Sequence, residues 1–173
     1  MDQRPSGTSA NQHVLYLMRH AKAEELHPGD ADHTRELTER GRGQARAVGE
    51  WLEQTGEQID RVLCSEAARA RQTLEDLGID APAEYRWELY NSGADRILDQ
   101  LRKVDEDVRT VLVVAHAPGI PALTWDLVEP ISSDQGARAT IAHHFPAATI
   151  VRLEFSGTWQ DLESARLTHA RVD

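Results

Sequence analysis

Leu15-Tyr16-Leu17-Met18-Arg19-His20 is an apolar run that stops abruptly at an arginine and a histidine side by side. Such an ending reads as a buried strand that delivers two polar side chains to the edge of a sheet, where a site can form. Val111-Leu112-Val113-Val114-Ala115 ends in the same way at His116, with Ala117 and Pro118 after it. Between them, Cys64-Ser65-Glu66-Ala67-Ala68-Arg69-Ala70-Arg71-Gln72-Thr73 reads as a strand-to-helix junction with an arginine in the first helical turn. Two histidines and two arginines at the carboxyl ends of strands suit phosphoryl transfer through a histidine nucleophile.

Working outward, apolar runs place strands near 13–19, 61–64, 110–116 and 149–155, with helices between them. Thr38 is positioned to cap a helix over 39–54, whose Ala45, Val48 and Leu52 share one face with Trp51 adjacent. Ser65 is positioned to cap a second helix that ends at Gly78. Ser92 and Asp95 form a Ser-x-x-Asp signature ahead of a stripe of Ile97, Leu98, Leu101 and Val104. Pro118 suits the first turn of a fourth helix through Leu127. Beyond Phe155, Ser156 to Trp159 reads as a turn and Ala165 to Val172 as a returning edge strand. This order resembles βαβ units. The expected fold class is α/β: a single three-layer α/β/α domain with a mostly parallel central sheet. No internal repeat, low-complexity segment or interdomain linker interrupts it.

The length of 173 residues fits one domain, large enough for a core without metal or disulfide staples. Residues 1–11 are polar, with no basic region followed by an apolar one, and read as a disordered tail rather than a secretory signal. Residues 12–173 form the expected domain. A hydrophobic fraction of 40% beside 28% charged residues is ordinary for a globular protein, and no apolar run approaches the roughly 20 residues needed to span a bilayer. One cysteine, Cys64, leaves no intramolecular disulfide and fits a reducing, cytoplasmic setting. A reactive thiol is one reading of it; a small buried packing residue is the favoured one. A net charge of -10 disfavours nucleic acid and anionic membrane as partners, although a local arginine pocket still attracts phosphate.

Arg19-His20, Leu37-Thr38-Glu39-Arg40-Gly41 with Gln44-Ala45, Ser65 to Thr73 with Arg69, and then His116 resemble the histidine phosphatase superfamily, the phosphoglycerate-mutase-like fold. The compact length, Asp32-His33-Thr34-Arg35-Glu36-Leu37-Thr38 and Leu89-Tyr90-Asn91-Ser92 resemble the small SixA-like phosphohistidine phosphatases within it. The resemblance runs from about His13 to about Phe155. It implies that His20 is the nucleophile and that Arg19, Arg69 and His116 hold the phosphoryl oxygens, with no cofactor and no metal. Arg71 is the rival of Arg69 for phosphate; Arg69 matches the family motif. The resemblance also places the loop of Asp32 and Arg35 beside the pocket, so that Arg35 meets the phosphate or a partner surface, or simply pairs with Asp32. In two places the chain departs from the family pattern: Ala21 replaces the usual glycine after the first histidine, and Ala117 replaces a frequent asparagine after the second. Alanine permits close approach of phosphate unless positive φ is required.

Each of these residue types has a chemical reason to be there. A neutral imidazole, with pKa near ~6.5, attacks through one nitrogen while the other is fixed by a hydrogen bond. A guanidinium stays charged and donates two hydrogen bonds to adjacent oxygens. Free amides at the start of the Arg69 helix add to the attraction for an anion. His116 is expected to be protonated beside a dianion. Lys22 adds positive potential or stands as a solvated loop lysine. His13, His27, His33, His143, His144 and His169 read as structural or solvent-facing, with His143-His144 a candidate for the rim. Leaving-group protonation is weakly provided: Glu88 is the nearest carboxylate to the relevant region, and a surface role suits it better. A phosphohistidine substrate needs such an acid less, because an imidazole leaving group can carry its own proton.

Three readings therefore compete. The first is a phosphatase acting on phosphohistidine of a protein partner, supported by the short stretch between the Arg69 helix and His116, which leaves no room for a large lid. The second is a phosphatase for small phosphorylated molecules, which requires a real acid and a more enclosing pocket. The third, a phosphate-binding module without turnover, has no use for a positioned nucleophile. In either enzyme reading, phosphate is the product.

Overall fold

The computed structural model describes residues 11–173. The tail expected over residues 1–11 thus lies outside the described residues, apart from Asn11, whose carbonyl accepts a hydrogen bond from Gly157 N at 3.1 Å. The strands are β1 (Gln12–Arg19), β2 (Arg61–Ser65), β3 (Ala83–Arg86), β4 (Thr110–Ala115), β5 (Ile150–Ser156) and β6 (Arg166–Arg171). They form one sheet in the order β3-β2-β4-β1-β5-β6. The first four in that order are parallel, and β5 runs antiparallel to both β1 and β6.

Every residue of β4 is buried, as expected of a central parallel strand covered on both faces. Side chains alternate along each strand. Leu15, Leu17, Leu63, Val111 and Val113 point to one face, packed with Ile97 and Leu101 of α3 (Ala94–Leu101), Ile120, Leu123 and Leu127 of α4 (Gly119–Leu127), and Ala137 and Ile141 of α5 (Gln135–Ile141). Tyr16, Met18, Val62, Cys64, Leu112 and Val114 point to the other face, against Ala45, Val48 and Leu52 of α1 (Glu39–Thr55) and Ala70, Leu74 and Leu77 of α2 (Ala68–Leu77). This is the three-layer α/β/α domain that the sequence implies. Among the described residues no helix is long and apolar enough to cross a membrane.

Two of the expected helix boundaries are met as read. The Thr38 side chain accepts from Gly41 N at 3.0 Å and caps α1, and Gly78, at φ 66, ends α2 in the left-handed conformation that glycine takes at little cost. Three assignments are corrected. Ala67, not Ser65, occupies the position before α2; Ser65 closes β2 and accepts from Ala67 N at 3.3 Å. Gly93, not Ser92, precedes α3, and Ser92 is buried with no hydrogen-bond partner for its hydroxyl. Pro118 stands just before α4 instead of inside its first turn. The sequence reading also omitted β3 and α5.

Gly41 sets the distance between α1 and the segment that leaves β1. A Cβ on it would lie 2.1 Å from the Lys22 carbonyl oxygen, which accepts from Thr38 N at 2.9 Å and Thr38 Oγ1 at 3.2 Å. Only a residue without a side chain allows this approach.

Candidate active site

β1 and β4 are parallel neighbours, with Arg19 opposite Ala115, so His20 and His116 leave the sheet side by side. β2 ends next to β4, and Arg69 stands in the first turn of the helix that follows it. Arg19, His20, Asp32, Arg35, Arg69 and His116 line one cavity of about 460 Å³ at this edge. A larger cavity, of about 520 Å³, lies between α1 and the end of α2 and contains none of these groups.

The His20 main chain is held on two sides: its N–H donates to Ala115 O at 2.9 Å, and its carbonyl accepts from Ala148 N at 3.0 Å. Nδ1 of His20 lies 2.7 Å from Ala21 O. A carbonyl only accepts, so the proton sits on Nδ1 and the lone pair on Nε2. Arg69 Nε donates to that Nε2 at 3.3 Å. Burial pushes the His20 pKa down to about 4; the Ala21 hydrogen bond opposes this, and the charges of Arg69 and Arg19 add to it. His20 is therefore a neutral imidazole at neutral pH.

The His116 ring meets His20 edge to face, with centroids 5.0 Å apart, and its Nε2 lies 2.7 Å from Ser65 Oγ. The Ser65 hydroxyl accepts from Ala67 N and has its own proton to offer His116 Nε2, an arrangement that puts the ring proton on Nδ1. That Nδ1 is buried and has no hydrogen-bond partner. Burial, followed by His20 and Arg69, pushes the His116 pKa down to about 3. The ring by itself is thus neutral at neutral pH; the expected protonated form belongs to a bound dianion, whose charge would raise this pKa.

Arg69 is 2% exposed. Besides His20 it binds Asp32 O through Nη1 at 2.8 Å, and Asp32 Oδ2 and Asn91 Oδ1 through Nη2 at 3.0 and 3.4 Å. Arg19 donates from Nη1 to Phe145 O at 2.8 Å, while its buried Nε has no partner. Arg71 is exposed, pairs with Glu66 and lies over the Tyr85 ring at 4.2 Å, outside the cavity. The structure brings Arg69 and not Arg71 to His20.

Asp32 lies beside the pocket as its loop is expected to, but most contacts of its carboxylate are not disclosed by the sequence. It was read only as a partner for Arg35, and that pair forms, with Arg35 Nε and Nη2 both 2.9 Å from Asp32 Oδ1. The same carboxylate also accepts from Tyr90 OH at 2.6 Å, from Arg69 and, at 3.4 Å, from Asn91 Nδ2. The Tyr90 hydroxyl most of all, then the Arg69 and Arg35 guanidiniums, hold its carboxyl far below the usual range against the opposing effect of burial. Asn91, at φ 46, holds a left-handed conformation uncommon outside glycine. The Asp-x-x-Arg spacing and the Tyr90-Asn91 pair were the available signals.

Lys22 also lines the cavity, with an exposed side chain, and Arg35 donates from Nη1 to Glu24 O at 2.9 Å. Glu88 is not brought in: it is exposed in a short 3-10 turn, Trp87–Leu89, and does not line the cavity. His143 and His144 are exposed and lie off the cavity lining as well. His13 is structural, bonded to Val108 O and stacked on Phe155. Ala21 is fully buried without positive φ, so alanine fits there without backbone strain.

The histidine phosphatase superfamily (branch 1) model matches residues 15–90. The Rv1276c protein of Mycobacterium tuberculosis, which bears no functional name, is 41% identical over 147 residues, covering 84% of this chain and 92% of that one. Phosphohistidine phosphatase SixA of Escherichia coli is 32% identical over 119 residues, 65% of this chain and 73% of its own. A SixA-type structure from Nakamurella multipartitia superposes with a TM-score of 0.83 at 41% identity, covering 98% of both chains. By fold, identity and coverage, this chain belongs to the histidine phosphatase superfamily and is a phosphatase similar to SixA.

Proposed function

We propose that the protein removes the phosphoryl group from a phosphohistidine on a protein partner, through a phosphohistidine intermediate on His20. The observation that carries this reading is the convergence, in the lining of one cavity, of Arg19, His20, Arg69 and His116, with the lone pair of His20 on Nε2. A lone pair set beside two guanidiniums and a second imidazole suits a tetrahedral dianion better than a neutral ligand.

In the first step His20 Nε2 attacks phosphorus in line, the P–N bond to the substrate imidazole breaks, and its electron pair leaves with that ring. Arg19, Arg69 and His116 hold the nonbridging oxygens, where charge develops. The Ala21 carbonyl keeps the proton on His20 Nδ1 and stabilises the positive ring of the phosphorylated nucleophile. Water then attacks the phosphorus, the bond to Nε2 breaks, and phosphate and neutral His20 result. Asp32 pairs with Arg69 and Arg35 and is displaced from them as the phosphoryl oxygens engage the same guanidiniums.

Protonation of the leaving group favours the P–N substrate. Asp32 is the carboxylate in the cavity lining, and Tyr90 and Arg69 keep it ionised, so it holds no proton for a departing alkoxide. An imidazole leaving group that arrives protonated needs no acid.

The test compares the wild-type chain with His20→Ala on a histidine-phosphorylated phosphotransfer domain and on para-nitrophenyl phosphate. The expected result is His20-dependent loss of phosphate from the protein at a kcat/KM well above that for the monoester. Monoester turnover beside an inert phosphoprotein moves the assignment to small phosphorylated molecules. Absence of His20-dependent turnover of either substrate overturns the mechanism.

A further inference from the structure

Trp87 is 53% exposed, an unusual position for a ring of that size, and it is held firmly. The next residues of its turn anchor it: Leu89 is fully buried, and Tyr90 binds Asp32 through its hydroxyl. Trp87 meets Tyr90 edge to face at 5.3 Å and His33 at 5.6 Å. Tyr90 meets His116 at 5.6 Å, and His116 meets His20 at 5.0 Å. A continuous line of rings therefore runs from the nucleophile at the cavity floor to an aromatic shelf at the surface, where His33 is also exposed.

Trp87 does not line the cavity itself. A compact phosphorylated molecule occupies the cavity among Arg19, His20, Arg69 and His116 without reaching the shelf. A phosphohistidine on a protein is different: its side chain is short and His20 is only 8% exposed, so the carrier's surface must come down on the rim. Tyr90 of the shelf touches Asp32 and His116, both of which line the phosphate pocket, and this sets the shelf directly beside the pocket. Tryptophan is also the side chain most enriched among residues that dominate protein association, because a rigid ring buries much apolar area at little entropic cost.

We propose that Trp87, braced by His33 and Tyr90, is the contact that grips an apolar patch beside the phosphorylated histidine of a protein substrate. This rests on the phosphoprotein reading above and adds a determinant of specificity that the phosphate-binding groups do not supply. Trp87 discriminates between carriers, and the cavity recognises what they carry.

The experiment measures kcat and KM for wild type, Trp87→Ala and Trp87→Phe on a histidine-phosphorylated phosphotransfer domain and on phosphoramidate, which presents a P–N bond without a protein surface. The expected result for Trp87→Ala is a fall in kcat/KM on the phosphoprotein of roughly 10- to 30-fold, carried by KM. Phosphoramidate hydrolysis stays within about twofold of wild type, which also reports an intact fold, and Trp87→Phe recovers part of the loss. Unchanged phosphoprotein kinetics in Trp87→Ala overturn the proposal, as does an equal loss on both substrates, which assigns Trp87 a structural role through Tyr90. A wild-type enzyme that leaves the phosphoprotein intact removes the underlying reading, a failure seen before any variant is made.

Discussion

Gly41 and Gly43 stand two residues apart on the same helix, and alanine at each has opposite expected consequences. At Gly43 an added Cβ meets nothing within 4 Å, so replacement by alanine gains only helix stability, about 0.5–1 kcal/mol. At Gly41 the Cβ would lie 2.1 Å from Lys22 O, whereas ordinary contact begins at 3.4 Å, so the two segments must separate by roughly 1 Å. The neighbour is a backbone carbonyl held by Thr38 N and Thr38 Oγ1 and has no rotamer by which to move aside. Overpacking of this kind costs about 1–3 kcal/mol, and a fixed neighbour puts Gly41→Ala at the upper end of that range. Urea unfolding of the two variants beside wild type should place Gly43→Ala above and Gly41→Ala below, separated by about 3.5–4 kcal/mol with unchanged m. Monoester hydrolysis should fall as well in Gly41→Ala, because the displaced peptide adjoins Ala21, whose carbonyl holds His20 Nδ1. Coincident unfolding midpoints for the two variants would falsify the account of α1 seated on Lys22.

Arg69→Lys leaves one ammonium where a guanidinium reaches His20, Asp32 and Asn91, and kcat/KM for any phosphorylated substrate should fall about 10²- to 10³-fold; a loss under fivefold contradicts the assigned clamp. Ser65→Ala removes the partner of His116 Nε2 and frees the tautomer, with an expected cost of about 1–3 kcal/mol and a shift of the ring proton visible in imidazole ¹⁵N spectra; unchanged spectra would show that Ser65 does not set it. The depressed pKa of His20 also enters stability. The unfolded ring takes a proton near ~6.5 and the folded one only near about 4, so between these values the unfolded chain binds more protons and stability is lost as the pH falls. Between pH 7 and 5 this contributes on the order of 2 kcal/mol of loss, and His116, pushed down to about 3, adds a similar amount, so His20→Gln should remove about half of the loss seen in urea unfolding at the two pH values; an equal loss in the variant refutes the assignment.

The strands that carry the site were legible because each ends an apolar run at a charged or titratable residue, as at Arg19-His20 and at His116. β3 has no such run. It is an edge strand whose Ala83, Glu84, Tyr85 and Arg86 are exposed or half-buried, so burial left no imprint on its composition. α5 is short and buries only Ala137 and Ile141, although its capping Asp134, which accepts from Ala137 N, was a readable start signal. Ser65 was misread as a helix cap because a serine before a helix announces a hydroxyl, not its partner; here the partner is His116, 51 residues away. Asp32 escaped for the same reason on a larger scale. Its Arg35 contact is local and follows from spacing, while the contacts with Arg69, Tyr90 and Asn91 exist only once three separate segments meet.

Cys64, the chain's one cysteine, lies fully buried in the face of the sheet packed against α1 and α2, and burial pushes its thiol up to about 12. Thiolate is the form that peroxide attacks, and a thiol so placed supplies almost none of it. Phosphatases whose nucleophile is a cysteine stop working when that sulfur is oxidised. On the proposed mechanism, an enzyme that reacts through an imidazole nitrogen and keeps its sulfur in the core has no nucleophile to lose to that oxidation.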